Sequence, residues 1–68
     1  MLSIIVNGSP RNLACTQASV AELVSELALT GKRVAVEKNG EIVPRGLHAT
    51  TLLQSGDRIE IVAAVGGG

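Results

Sequence analysis

The stretch that decides the fold lies at residues 19–27 and reads SVAELVSEL. A serine followed three positions later by a glutamate fits a capping box, in which Ser19 and Glu22 each accept a hydrogen bond from the other residue's backbone N–H. The apolar side chains of this stretch recur at helical spacing and form a single stripe: Val20, Leu23, Val24 and Leu27. We therefore expect one amphipathic helix of about three turns, closed by Gly31 and held in place by tertiary packing.

Strand signals precede the helix. Leu2–Val6 is largely apolar and β-branched, which favours a strand. Asn7-Gly8 follows directly, and this dipeptide is the strongest short hairpin signal because both residues tolerate positive φ. We expect the return strand at Arg11–Cys15, with Cys15 as a small apolar residue at its end. Pro10 suits an edge strand because it has no N–H to donate.

The same hairpin pattern returns after the helix. A strand at Val34–Val36 leads through Asn39-Gly40 into a short strand at Glu41–Val43. The final strand is expected at Arg58–Val65. Residues 45–53 have no regular pattern. Three leucines are the expected core anchors of that irregular segment: Leu47, Leu52 and Leu53.

The order strand–strand–helix–strand–strand–strand predicts an α+β fold, in which one main helix covers one face of a single sheet. With the first and last strands as parallel neighbours, the sheet is mixed and has four to five strands. That arrangement is the ubiquitin-like β-grasp. A ferredoxin-like split fold has a related pattern, but it requires two helices and only one convincing helix is present.

Composition narrows the class of protein. The chain has 68 residues, which is enough for one domain, and its six basic and six acidic side chains cancel. It contains no Phe, Tyr or Trp, so the core must be aliphatic and no aromatic side chain can stack on a nucleic-acid base. No apolar run approaches the ~18 residues of a membrane span. A single cysteine and the lack of a signal-peptide pattern predict a cytoplasmic protein.

The last strand is followed at once by three glycines, Gly66, Gly67 and Gly68. Glycines pack no side chain and order poorly, so we expect a β-grasp domain at residues 1–65 and a flexible tail at residues 66–68. Extended, such a tail reaches roughly 10 Å and can present a carboxylate inside a narrow channel. The alternative is an ordinary disordered chain end.

Three segments carry a resemblance to a known family. Residues 39–45 read NGEIVPR, residues 56–61 read GDRIEI and residues 65–68 read VGGG. Together with the opening strand, they resemble the sulfur carrier of thiamine biosynthesis, the ThiS family. The small subunit of molybdopterin synthase is similar in fold and tail, but it is usually longer and tends to lack the Ile-Val-Pro-Arg segment.

The resemblance implies a carrier protein rather than an enzyme. A separate adenylating enzyme of the ubiquitin-activating type would use ATP to activate the Gly68 carboxylate. A persulfide sulfurtransferase would then supply sulfur, which gives a thiocarboxylate on Gly68, and thiazole synthase would take that sulfur. The chain has no phosphate-binding Gly-x4-Gly-Lys motif, so we expect it to bind no cofactor of its own.

A partner-docking surface is expected on the sheet face away from the helix. If Ile59 and Ile61 point inward, alternation turns Ile5, Val62 and Ala64 outward, towards the tail. Arg45 either contacts a partner or is a solvated loop charge. Scattered apolar residues on an ordinary surface are the alternative reading.

The remaining polar residues give weaker signals. His48 has no second ligand at metal spacing, so no metal site is expected. Asp57 follows Gly56 and is expected to be a turn residue rather than an acid catalyst. Two other functions stay open. A ubiquitin-like protein modifier would join the same tail to target lysines, and a plain β-grasp interaction module would not use the glycines.

Overall fold

Five strands, one α-helix and one 3-10 helix make up the part of the chain that this computed structural model describes, residues 1–29 and 33–63. In chain order the elements are β1 (Leu2–Val6), β2 (Ser9–Leu13), α1 (Val20–Glu26), β3 (Val34–Lys38), β4 (Glu41–Val43), the 3-10 helix (Arg45–Leu47) and β5 (Arg58–Ala63). The expected continuation of the last strand to Val65 lies outside the described residues.

The strands form one mixed sheet in the order β2-β1-β5-β3-β4. β1 and β5 run parallel, with Ile5 opposite Arg58 and Val6 opposite Ile59. All other neighbouring strands are antiparallel. The predicted β-grasp arrangement, with the first and last strands as parallel neighbours, is therefore confirmed.

Both hairpins turn on the predicted Asn-Gly pairs. Asn7 and Gly8 have φ values of 50° and 82°, and Asn39 and Gly40 have values of 53° and 86°. Left-handed φ at both central positions is the geometry of a tight type I′ turn. The first turn is so short that Ser9 already lies opposite Val6. The return strand therefore starts at Ser9 and ends at Leu13, and its predicted position at residues 11–15 is wrong by two residues.

The start of α1 follows its sequence signal. The Glu22 N–H donates to Ser19 Oγ at 3.1 Å, and the Ser19 N–H donates to Glu22 Oε1 at 3.0 Å. Both halves of the predicted capping box are thus confirmed. Val20 and Leu23, from the predicted apolar stripe, are fully buried.

The end of α1 differs from the prediction. The helix stops at Glu26, and Ala28 adopts a left-handed φ of 61°. The N–H of Ala28 donates to the Ser25 carbonyl and that of Leu29 donates to the Val24 carbonyl, both at 3.0 Å. This is a Schellman closure, which usually places glycine where this chain has alanine.

The early closure has a packing cause. It turns the chain back so that Leu27 and Leu29 pack against the core. The expected three turns closed by Gly31 are therefore wrong in length. Gly31 itself lies outside the described residues.

The core lies between α1 and the sheet and is entirely aliphatic in the described residues. Its buried members come from the helix, the inner sides of the strands and residues 18 and 53, and are Leu2, Ile4, Leu13, Ala18, Val20, Leu23, Val24, Val36, Val43, Leu53, Ile59 and Ile61. None of the helices described is long and apolar enough to cross a membrane.

Only one of the three leucines expected to anchor the irregular segment does so. Leu53 is 3% exposed, whereas Leu47 and Leu52 are 51% and 46% exposed. Residues 51–53 run beside the entry to α1, where the Leu53 N–H donates to the Ala18 carbonyl at 2.8 Å. In such an extended segment neighbouring side chains point to opposite sides, so Leu52 faces away when Leu53 faces the core.

Candidate functional site

The proposed sulfur-carrying end of the chain lies beyond the described residues. Ala64 and the three glycines, Gly66, Gly67 and Gly68, belong to that undescribed part. The last described residue of β5 is Ala63. The structure therefore shows the surface from which this segment departs.

From Arg58 to Val62, exposed and buried side chains alternate along β5. Ile59 and Ile61 are buried under α1, and Val62 is 65% exposed on the opposite face. The predicted inward positions of Ile59 and Ile61 and outward position of Val62 are confirmed, whereas Ala64 lies outside the described residues. Because Ile5 lies opposite Arg58, it shares the outer face with Val62, and it is half-buried there.

Ile5 and Val62 nevertheless do not form one continuous apolar patch. Arg58 and Glu60 occupy the outer-face positions of β5 before Val62. Val62 lies four positions along β5 from Arg58, the partner of Ile5, which is a distance of roughly 13 Å. Ile5 therefore lies where β5 begins, and Val62 lies next to Ala63, where β5 ends.

Val62 shares a cavity with residues at the start of β3, with the residue before β3 and with a residue after β4. Ala35 lies directly opposite Val62 in the antiparallel pairing of β3 with β5. Together with Arg33, Val34 and Arg45, these two residues line an open cavity of about 370 Å³. We call the group of Arg33, Ala35, Arg45 and Val62 the arginine-rimmed surface.

The two arginines give this surface a positive edge. Neither Arg33 nor Arg45 forms an ion pair with any described residue, although two other cations do. Arg11 lies 3.8 Å from Glu26, and Lys38 lies 3.8 Å from Asp57. An apolar floor with cationic sides is complementary to a partner surface that carries exposed acidic groups.

Sequence reasoning placed only two of the four residues of this surface. No sequence pattern assigned Arg33 to a docking surface; it follows α1, which stops at Glu26 and has no basic residue in its last turn. Alternation around Val34 and Val36 was the available signal for Ala35. The register that sets Ala35 against Val62 is a tertiary property, so the sequence did not reveal the pair.

The beginning of β5 is built differently, around the buried side chain of Asp57. One carboxylate oxygen accepts the Gln54 N–H at 2.7 Å, and the other accepts Asn39 Nδ2 at 3.0 Å. The Asp57 N–H also closes a turn on the Gln54 carbonyl. The prediction of a turn residue is confirmed, and the carboxylate is occupied by structural contacts.

The sequence matches the model of one protein family over almost its whole length. The model described as the ThiS family matches residues 4–68. The chain belongs to the ThiS family. The resemblance drawn from the NGEIVPR, GDRIEI and VGGG segments is therefore confirmed.

Two solved structures of one relative have the same fold. The crystal structure of the thiamine biosynthesis protein ThiS from Geobacter metallireducens superposes with a TM-score of 0.84 at 33% identity, covering 98% of this chain and 100% of that one. The solution structure of a thiamine biosynthesis protein from the same organism gives a TM-score of 0.82 at 33% identity, with 98% and 88% coverage.

Sequence relatives fall into two sizes. A thiazole synthase of Paramagnetospirillum magneticum is 40% identical over 67 residues, which is 98% of this chain but 20% of that protein. A second thiazole synthase, from Magnetococcus marinus, gives the same coverage at 37% identity, so the chain spans about a fifth of these two relatives. The uncharacterized protein ycf40 of Porphyra purpurea is 35% identical over 68 residues, with 98% and 93% coverage.

The two remaining candidate residues of this ThiS-family chain are Cys15 and His48, and neither belongs to a metal-binding group of side chains in the described residues. Cys15 is exposed on a bend two residues after β2, so its expected place at a strand end is wrong. His48 is buried, and its Nε2 lies 3.1 Å from the Val43 carbonyl, a structural hydrogen bond. Within residues 1–29 and 33–63 no group of three or more His, Cys, Asp or Glu side chains is arranged to hold a metal ion.

Proposed function

We propose that this chain carries sulfur for thiazole formation in thiamine biosynthesis, as a thiocarboxylate on Gly68. The observation that carries the proposal is the match to the ThiS family model, which runs to residue 68 and so includes the glycine tail. Two relatives named thiazole synthases contain a segment similar to nearly all of this chain. That similarity supports thiazole synthase as the acceptor of the sulfur.

The chemistry requires activation of a carboxylate. An α-carboxylate is ionised at neutral pH, so its oxygen can attack the α-phosphate of ATP and expel pyrophosphate without a general base. A persulfide sulfur then attacks the acyl carbon and displaces AMP. A second thiol cleaves the resulting acyl disulfide, which releases the thiocarboxylate. The partner enzymes supply ATP, persulfide and thiol, and this chain supplies the carboxylate.

Glycine at the acceptor position suits this sequence of attacks. It has no Cβ, so no side chain stands beside the acyl carbon when the phosphate or the sulfur approaches. Replacing Gly68 by valine places three extra carbon atoms next to the reacting centre. We therefore expect the identity of residue 68 to affect sulfur loading and to leave folding unchanged.

The arginine-rimmed surface is the proposed docking surface for the adenylating enzyme. Its apolar floor, Ala35 and Val62, lies at the end of the sheet from which the tail departs. Arg33 and Arg45 line the same cavity, where acidic side chains of a partner can pair with them. Ile5 lies at the opposite end of the same face, and its proposed contact, like that of Ala64, stays a prediction.

Intact-mass spectrometry tests the sulfur-carrier proposal. The chain is incubated with the purified adenylating enzyme, ATP and a persulfide donor, and then weighed. The wild type and Cys15→Ser are both expected to exchange one oxygen for one sulfur, because the sulfur is carried on the terminal carbonyl. Gly68→Val, or one residue added after Gly68, is expected to abolish the exchange.

Three outcomes would contradict the proposal. Sulfur found as a persulfide on the exposed Cys15 would place the carrier function on a side chain. Normal sulfur loading of the extended chain would show that a terminal glycine is not the acceptor. Discrete higher-mass conjugates in a cell lysate, with no thiocarboxylate, would instead indicate a ubiquitin-like modifier.

A further inference from the structure

The side chain of Asn7 acts as an extra rung of the sheet. The chain leaves β1 at Asn7 to form the first hairpin turn, so its backbone reaches no further along β5 than the Ile59 carbonyl, to which the Asn7 N–H donates at 2.8 Å. One step further on, Asn7 Oδ1 accepts the Ile61 N–H at 2.8 Å, and Asn7 Nδ2 donates to the Ile61 carbonyl at 3.1 Å. The amide thus pairs with both backbone groups of Ile61, as a neighbouring strand would.

This rung holds an edge of β5 that β1 no longer reaches. The parallel pairing with β1 covers Arg58 and Ile59. On its other edge β5 is held by β3 as far as Ala63. Among the described residues, the Asn7 side chain alone hydrogen-bonds the β1-facing edge beyond Ile59, and it does so two residues before Ala63.

We propose that Asn7 is a positioning residue for sulfur loading, because it fixes the direction of β5 where the chain departs towards Gly68. The proposal rests on the sulfur-carrier function proposed above. In adenylation the Gly68 carboxylate is the attacking group, and it reacts fastest when it is held close to the α-phosphate of ATP in the correct orientation. Every residue freed at the base of the tail enlarges the volume that the carboxylate samples, and this lowers its concentration at the adenylation site.

Asparagine satisfies two demands at this position. The turn requires a left-handed φ of 50° at residue 7, which asparagine and glycine tolerate better than other residues. The rung requires an amide with one donor and one acceptor. Glycine keeps the turn and loses the rung, so Asn7→Gly removes the rung without straining the backbone.

Asn39 provides a matched control. It occupies the same position of the second Asn-Gly turn with φ 53°, and its side chain also binds β5. Its Oδ1 accepts the Arg58 N–H at 2.9 Å, and its Nδ2 donates to Asp57. These contacts hold the start of β5, the end opposite to the tail. Asn39→Gly therefore removes comparable hydrogen bonds without loosening the strand at Ile61.

The test combines amide hydrogen exchange with enzyme kinetics, using full-length chains below the lower melting temperature of the two variants. In Asn7→Gly the Ile61 amide is expected to exchange about tenfold faster, as the loss of one or two hydrogen bonds predicts. In an ATP–pyrophosphate exchange assay with the purified adenylating enzyme, kcat should fall about fivefold to tenfold and KM should stay within about twofold. Asn39→Gly should keep both constants within about twofold of the wild type.

A third variant separates the two hydrogen bonds. Asn7→Asp keeps an acceptor for the Ile61 N–H and loses the donor to the Ile61 carbonyl. Its kcat is expected to lie between those of the wild type and Asn7→Gly. An equal loss of kcat in the Asn7→Gly and Asn39→Gly variants would overturn the proposal, since it would show a general loss of stability.

Unchanged exchange of the Ile61 amide in Asn7→Gly would also overturn it. A wild-type chain that supports no pyrophosphate exchange would instead contradict the proposed function, and with it the role of Asn7 in sulfur loading. The amide-exchange measurement is independent of the partner enzyme and decides on its own whether Asn7 holds β5.

Discussion

Aliphatic side chains occur on both faces of the sheet, but among the residues that the structure describes only the face beneath α1 is covered. Beneath α1, Leu23 and Val36 are fully buried. On the open face Val62 is 65% exposed and Ile42 is 72% exposed. Burial of apolar surface stabilises the fold only where water is removed. The covered face therefore carries the stability, whereas apolar area on the open face is available for binding.

The contrast is sharpest between neighbours in the chain. Ile61 is buried and Val62, the next residue, is among the most exposed large apolar side chains described. Both are aliphatic, so composition does not distinguish them. Strand periodicity does, because successive side chains point to opposite faces. Substitutions on the two faces should consequently affect different properties, stability on one and partner binding on the other.

The largest expected effect is on the covered face. Leu23→Ala should lower the free energy of unfolding by about 2–5 kcal/mol, because a fully buried leucine is removed and the site cannot collapse completely. A domain of this size has a stability of roughly 3–5 kcal/mol, so the variant should be largely unfolded. Urea denaturation followed by circular dichroism measures the change.

The matched control is Val62→Ala on the open face. It removes two methyl groups from an exposed side chain and should change the free energy of unfolding by less than about 0.5 kcal/mol. Similar losses in Leu23→Ala and Val62→Ala would show that the two faces do not differ in their contribution to stability.

The second expected effect concerns the buried side chain of Asp57. Asp57→Ala should lower the free energy of unfolding by about 1–3 kcal/mol, because the Gln54 N–H and the Asn39 amide lose their acceptor. Thermal unfolding is a suitable measurement, with Glu41→Ala on an exposed position of β4 as the control. Equal effects of the two substitutions would mean that the Asp57 contacts contribute nothing net.

A smaller effect of opposite sign is expected at the end of α1. Ala28 adopts a left-handed φ of 61°, which disfavours residues with a Cβ by about 1–2 kcal/mol. Ala28→Gly relieves this strain, although glycine has more backbone entropy to lose. The net result should be a stabilisation of about 0.5–1 kcal/mol, measured by urea denaturation. Ala21→Gly inside the helix should destabilise by a similar amount and serves as the control.

The features that the sequence predicted well are those encoded by local chemistry. Ser19 and Glu22 specify the start of α1, and the two Asn-Gly turns specify the hairpins. The end of the helix was not predictable, because alanine at position 28 carries no capping signal. The chain accepts the strained conformation because it allows Leu29 to reach the core.

The candidate site likewise contains one feature that local sequence predicts and others that depend on long-range pairing. Strand alternation was sufficient to place Val62 on the open face. Arg33 and Arg45 are separated by twelve positions in the sequence, and they line one cavity only because β3 pairs with β5 and the chain after β4 returns to the same end. The Asn7 contact with Ile61 spans 54 positions and depends on the parallel register of β1 and β5. Such long-range registers are not set by any local pattern.

The smallest change in stability is expected on the open face, where the effect on binding should be large. Val62→Glu places a carboxylate in the cavity that Arg33 and Arg45 also line, which neutralises part of its positive charge. Since Val62 is largely exposed, the free energy of unfolding should change by less than about 0.5 kcal/mol. Affinity for the adenylating enzyme, measured by calorimetry, should fall at least about tenfold because a charge is desolvated at the contact.

Ile42→Glu provides the comparison within the open face. Ile42 has similar exposure but lies on the edge strand β4, outside the arginine-rimmed surface. If docking is confined to the arginine-rimmed surface, the Ile42→Glu variant should bind with nearly wild-type affinity. Equal loss of affinity in both variants would mean that the partner covers the whole open face. Unfolding by Val62→Glu alone would mean that Val62, despite its exposure, belongs to the covered and stabilising part of the molecule.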